Sequence, residues 1–170
     1  MTLWLAGMRT TADRLYETDL IGRTVFAATR SISQTIPTGA EVAANAISWD
    51  VIDLDVLGGW TAGQPTRYTI TRSGWWVLKG SVAFNSSTAG TYRDCCWFIN
   101  GGLPTGGRSR ALVSTAIAAV SLTVPARSRP MLLAVGDYVQ LVPSHNVGAD
   151  LGTATGSLRP DVSLTYAGPA

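Results

Sequence analysis

From Thr24 onward the chain is a succession of short runs rich in β-branched and aromatic residues, divided by Gly, Pro, Asn and Asp at intervals of about ten residues. That spacing leaves no room for crossover helices, so successive strands must pair antiparallel. The runs fall at 24 to 35, 46 to 53, 67 to 72, 74 to 84, 91 to 99, 110 to 124, 131 to 142 and 162 to 166. They predict an all-β, antiparallel jelly-roll sandwich of about eight to ten strands. Alternation is clear in the middle of the chain. Tyr68, Ile70, Trp76, Leu78, Gly80, Val82 and Phe84 take one face, and Thr69, Thr71, Lys79 and Ser81 the other. Asn100-Gly101-Gly102 and Val135-Gly136-Asp137 read as turns.

Only the first 23 residues carry a helical pattern. Leu5, Met8, Ala12, Leu15, Tyr16 and Leu20 recur at three- and four-residue steps, Thr10 to Asp13 can cap a helix start, and Gly22 can end it. The spacing predicts a short helix over 10 to 19, outside the main core. The chain thus divides into a leader, 1 to 23, and a jelly-roll domain, 24 to 170, with no internal repeat and no linker that sets off another domain.

Composition adds one constraint. Hydrophobic residues make up 46% of the chain and charged residues only 14%, below the usual quarter or so. So little charge solvates a free surface poorly, and part of the exterior is expected to be covered by copies of the chain or by a larger assembly. The net charge is +2, with the cations scattered, which argues against nucleic acid as a partner. No apolar run reaches the 18 or so residues that would insert in a membrane. The apolar residues of the N-terminus precede Arg9, the reverse of a cleavable signal peptide, so export by such a signal is not expected. Cys95 and Cys96 are adjacent and read as reduced strand residues on opposite faces.

Catalytic chemistry finds little purchase. His145, the single histidine, sits in Pro143-Ser144-His145-Asn146, a loop by composition, without a nucleophile elbow or reactive cysteine to serve. It reads as an exposed loop residue, and no catalytic residue, cofactor-binding residue or cofactor is expected. Asp50, Asp53 and Asp55 supply oxygen ligands dense enough for calcium. Their spacing does not match a calcium loop, however, and the apolar residues between them favour a half-buried strand over a metal site. The glycine-rich run Gly101 to Arg108 lacks the Gly-Lys-Ser/Thr ending of a phosphate loop and reads as an exposed hairpin loop.

Four segments carry a resemblance. Pro65 to Val77, Phe98-Ile99-Asn100-Gly101, Leu133 to Leu141 with its Gly136-Asp137 turn, and the closing Val162 to Gly168 resemble, in order, the signatures of the tumour-necrosis-factor and complement globular-head jelly rolls. The resemblance implies a homotrimer, for which Trp75, Trp76, Tyr138 and Tyr166 are the candidate interface residues. Trp75 and Trp76 must point to opposite faces, so one enters the core and the other meets something else. A narrower resemblance concerns the opening Trp4 to Leu15, which is similar to the leader W-x-x-G-M-R-x-T-A-x-R-L of virion proteins from phages of high-GC actinobacteria. The next strand, Ala28 to Pro37, resembles theirs as well. This implies a non-enzymatic virion structural protein, assembled in the host bacterial cytoplasm. It would be a minor tail or fibre-head protein or a capsid decoration protein, docked on other virion proteins through Trp4, Leu5, Met8, Arg9 and Leu15. A host-surface glycan or protein is a further expected partner. The alternative is a carbohydrate-binding, lectin-like domain stacking sugars on Trp60, Trp75, Trp76 and Tyr92.

Overall fold

The computed structural model describes residues 19–113 and 120–170. Every predicted run contains or overlaps a strand, although the run over 46 to 53 becomes one only from residue 51 and β11 lies in none of them: β1 (Arg23–Thr29), β2 (Thr35–Ile36), β3 (Val51–Asp55), β4 (Tyr68–Thr69), β5 (Gly74–Phe84), β6 (Tyr92–Ile99), β7 (Arg108–Leu112), β8 (Leu122–Pro125), β9 (Arg129–Leu133), β10 (Tyr138–His145), β11 (Leu151–Gly152) and β12 (Asp161–Gly168). The predicted strand over 74 to 84 has the bounds of β5, and 91 to 99 differs from β6 by one residue.

Other runs break for identifiable reasons. The run over 24 to 35 divides because the Asp50 carboxylate accepts from the Ser31 and Ile32 amides, at 2.7 and 3.3 Å, which bends the chain after β1. The run over 131 to 142 divides at the Gly136-Asp137 turn, where Gly136 has a φ of 91°. Asp137 there accepts the Ala134 amide at 2.8 Å and the Asn100 side-chain amide at 2.8 Å. Those two donors hold its carboxyl below the ordinary carboxylate range, the Asn100 contact most of all. Asn100 in turn accepts the Tyr138 amide at 2.9 Å, so the two turns of the resemblance lock onto each other. The run over 110 to 124 covers β7 and β8.

Two antiparallel sheets stack. The first has the order β3-β1-β12-β5-β8, with β9 also pairing β5, and the second is β4-β10-β6-β7; β11 and β2 make a small third ribbon. Between the two main sheets lie Phe26, Tyr68, Trp76, Leu78, Phe84, Trp97, Leu141, Leu164 and Tyr166, all buried. This is the predicted jelly-roll sandwich. Gly80 sits at a close approach of the layers: a Cβ there would come within 3.4 Å of Trp97 and 3.3 Å of Leu141, on the opposite sheet.

The boundary between leader and domain moves toward the N-terminus. Leu20 is buried in the core and the Gly22 amide donates to the Tyr166 carbonyl at 2.7 Å, so the chain is already part of the sandwich before residue 24. The helix predicted over 10 to 19 lies outside the described residues except for Asp19, as do the docking candidates Trp4, Leu5, Met8, Arg9 and Leu15.

Candidate interaction surface

Strand alternation gives each main sheet an outward face, and the two faces differ. On the second sheet, Ser144 stands beside Asp94, Val142 beside Cys96 and Gln140 beside Phe98. All six are buried, although they point away from the inter-sheet core. A short 3-10 turn, Ala43–Asn45, and the following Ala46 cover this face, and Ala46 packs with Cys96, Phe98 and Val142 in a second small core. Charge is resolved locally under that cover. The Asp94 carboxylate takes a bidentate pair from Arg110 at 2.8 and 2.7 Å, Arg110 lies over the Tyr92 ring at 3.8 Å, and Arg108 pairs with Glu41. Cys95 faces the main core and Cys96 the small one, as the alternation predicted. Burial raises both thiols, Cys96 to about 12, which keeps it protonated and unreactive.

The outward face of the first sheet has no such cover among the described residues. Of the side chains that alternate outward along β5, Ala83 at the far end is buried, and the exposed or half-buried ones are Trp75, Val77, Lys79 and Ser81. Their cross-strand neighbours are Gly168 and Leu132, Thr165 and Pro130, Ser163, and Asp161 and Pro125, respectively. One strand further out, Thr24 continues the row of Thr165 and Ala27 that of Ser163, with Leu54 beyond Ala27. Only Lys79 and Asp161 in these rows carry charge, and Asp161 is engaged by the Ser81 hydroxyl. Trp75 is 43% exposed and Leu132, directly across from it, 56%. Ile21 extends the apolar end, 3.9 Å from where a Cβ would stand on Gly168. Beside it opens a cavity of about 390 Å³ lined by Ser73, Gly74, Leu132, Leu133, Ala134, Asp137 and Ala170. A contiguous uncharged patch of this kind on a sheet is suited to burial against another protein surface.

The predicted interface residues do not share this surface. Trp75 is on it. Trp76 and Tyr166 are closed inside their own chain, 5.4 Å apart and edge to face, and offer a partner no surface. The reason is the period of two: Trp76 shares its face with Leu78 and Phe84, so Trp75 is the tryptophan left outside. Tyr138 lies on the second sheet, under the Arg67 guanidinium at 4.6 Å. Nor do the four sugar-stacking candidates form one platform. Trp76 is in the core, Tyr92 lies beneath Arg110, and the Trp60 ring N–H is turned to the Pro65 carbonyl at 3.4 Å. Pro130 and Leu132 are not marked by any sequence pattern, because only the β5–β9 register places them beside Trp75 and Val77.

The remaining candidates have structural employment. His145 is not an exposed loop residue: it ends β10, fully buried, with Nε2 2.9 Å from the Ile36 carbonyl and the Phe84 ring edge-on at 6.0 Å. Pro143 in the middle of that strand made the segment look like a loop. Burial holds the His145 pKa below 6.5 against the upward pull of the Ile36 carbonyl, while the Arg93 cation adds a lesser downward push and Asp150 a lesser upward one. The folded protein therefore keeps this ring neutral where the unfolded chain would protonate it, and stability is full above about pH 6.5 and falls as the pH drops below it. Melting temperature measured from pH 8 to pH 5 should show this decline, and His145→Gln should flatten it; an unchanged slope in the variant would assign the decline to other groups. Of the calcium candidates, Asp50 serves the amides of residues 31 and 32, and Asp55 those of Gly59 and Trp60 at 3.2 and 3.1 Å. Among the described residues, no group of three or more His, Cys, Asp or Glu is placed to hold a metal, and no helix is long and apolar enough to cross a membrane.

No protein-family model matches the sequence, and no curated protein matches it either. Solved structures do match the fold. The globular domain of zebrafish complement 1qA is 11% identical, with a TM-score of 0.56, over 87% of this chain and 100% of that one. The Eiger TNF of S. frugiperda is 11% identical at 0.56, over 86% and 94%. Murine APRIL is 15% identical at 0.56, over 84% and 98%. At these identities the likeness is one of architecture, and the chain has the jelly-roll fold that these tumour-necrosis-factor and complement domains share.

Proposed function

We propose that the chain is a non-enzymatic structural module of a bacteriophage virion, a homotrimeric jelly roll held on the particle by its N-terminal segment. The observation that carries self-association is the face of the first sheet, which the described residues leave largely uncovered. It presents Trp75, Leu132 and Ile21 beside a cavity, with only Lys79 and Asp161 charged in the rows around it, while the opposite face of the sandwich is closed by the chain itself. Covering such a face also answers the shortage of charge in the composition. The fold's likeness to the tumour-necrosis-factor and complement domains supports a module that presents loops. The similarity of the leader to phage virion proteins supports its placement on a particle, as a minor tail or fibre-head protein or as a capsid decoration protein.

Light scattering at micromolar concentration tests the assembly: a mass three times 17.9 kDa is expected, and a monomer overturns it. Removal of residues 1 to 18 tests the docking. The cut falls there because Leu20 belongs to the core and must stay. The shortened protein should fold and trimerise but be lost from purified particles, whereas full incorporation would sink the docking role. Counting copies per particle by quantitative mass spectrometry separates a tail protein, with few copies, from a decoration protein, with hundreds.

A further inference from the structure

Two arginines meet over the glycine-rich loop between β6 and β7. Arg127, in the turn before β9, and Arg129, at its start, bring their Nη1 atoms to 3.8 and 3.1 Å from the point where a Cβ would stand on Gly106. Gly106 has a φ of 72°, in the left-handed region, and its missing side chain leaves the space between the guanidiniums open. Arg129 uses one N–H on the Thr105 carbonyl, at 2.5 Å. Arg127 is exposed and makes no hydrogen bond or ion pair among the described residues.

The contrast with the other cations is informative. Arg23, Arg30, Arg108 and Arg110 each pair with an aspartate or glutamate, whereas neither Arg127 nor Arg129 pairs with a carboxylate of the described residues. Two guanidiniums brought to the same glycine repel, and an anion shared by them turns that repulsion into attraction. Each guanidinium carries five N–H donors in a planar fork, the geometry that grips two oxygens of a tetrahedral oxyanion at once.

We propose that Arg127 and Arg129, closing on Gly106, form a binding site for a phosphate or sulfate group. The site spans the open edge of the sandwich. Arg129 belongs to the first sheet through its pairing with Leu78, while Gly106 belongs to the loop that joins two strands of the second. An anion held there ties the two layers together, so its binding raises the melting temperature.

Isothermal titration with inorganic phosphate and with sulfate, at ionic strength matched by chloride, tests the site. The intact protein should bind at least one of the two, and Arg127→Gln should weaken that binding about tenfold or more, the usual worth of a charge-assisted contact. Arg127 has no partner among the described residues, so the variant should melt with the parent in chloride. Arg159→Gln removes the same charge from another exposed position and should leave the affinity unchanged. Equal weakening by both variants reduces the effect to general attraction and overturns the site, as does an absence of binding beyond chloride. Glucose 6-phosphate beside glucose then identifies the source. Binding of the sugar phosphate alone of that pair points to a group carried on a glycan, and binding of the free ion alone points to the ion itself.

Discussion

Replacing Trp75 with glutamate is expected to convert the proposed trimer into a monomer. The indole stands 43% exposed on the bare sheet face, with Leu132 directly across the β5–β9 pair and Gly168 on its other side. In an assembly it is the large aromatic at the centre of an uncharged patch, the kind of residue whose truncation typically costs 2 kcal/mol or more of binding. A carboxylate in its place adds the cost of burying an unpaired charge, and the flanking rows offer only Lys79 as a cation. Scattering mass at micromolar concentration should fall from three times 17.9 kDa to the monomer, while the melting of the sandwich changes little. A variant that keeps the parent mass would show that the contact lies elsewhere.

One residue along, the result should reverse. Trp76→Ala should cost about 3–5 kcal/mol of folding stability, the usual range for truncating a buried aromatic. Trp76 is fully buried, lies between Tyr68 and Tyr166 at ring separations of 6.3 and 5.4 Å, and donates its ring N–H to the Arg72 carbonyl at 3.1 Å. Phe26 continues the stack beyond Tyr68 at 4.5 Å. Because these rings join β1, β4, β5 and β12, the hole left behind cannot close without moving strands of both sheets. Urea unfolding followed by tryptophan fluorescence measures the loss as a shift in midpoint. A loss under about 1 kcal/mol would mean that the stack repacks and that the rings are less interdependent than their geometry implies.

That the neighbouring tryptophans face opposite ways was legible in the sequence, because alternation is a local signal, but both stood as interface candidates, and the packing of Trp76 with Leu78, Val82 and Phe84 is what makes it the inward one. The jelly-roll class was legible for the same reason. Register was not. That Leu132 and Pro130 flank Trp75 and Val77 depends on which strands meet, and no short-range pattern encodes a pairing between segments so far apart. The breaks in the long runs were hidden similarly: Asp50 ends β1 by capturing amides from another segment, and its own neighbours, Trp49 and Val51, look like strand residues. His145 was misread because Pro143 is a poor strand residue in isolation. Here β4 pairs only with Tyr138 and Val139, so no strand of β4 runs beside Pro143 to miss a donor. Trp76 and Tyr166 were named for an interface because they are large and aromatic, a property that serves a core equally well.

The short turn Ala43–Asn45 sets a limit on how far assembly can proceed. A sandwich with sticky surfaces on both layers can add subunits above and below without end, which is the route to fibres. By laying its own backbone over the second sheet, the chain removes one of those directions. In the proposed trimer the contact left to it is the uncovered face of the first sheet, and a contact repeated about a threefold axis closes after three copies. In such an assembly the turn favours finite size, because the covered second sheet offers no further layer on which a subunit could build.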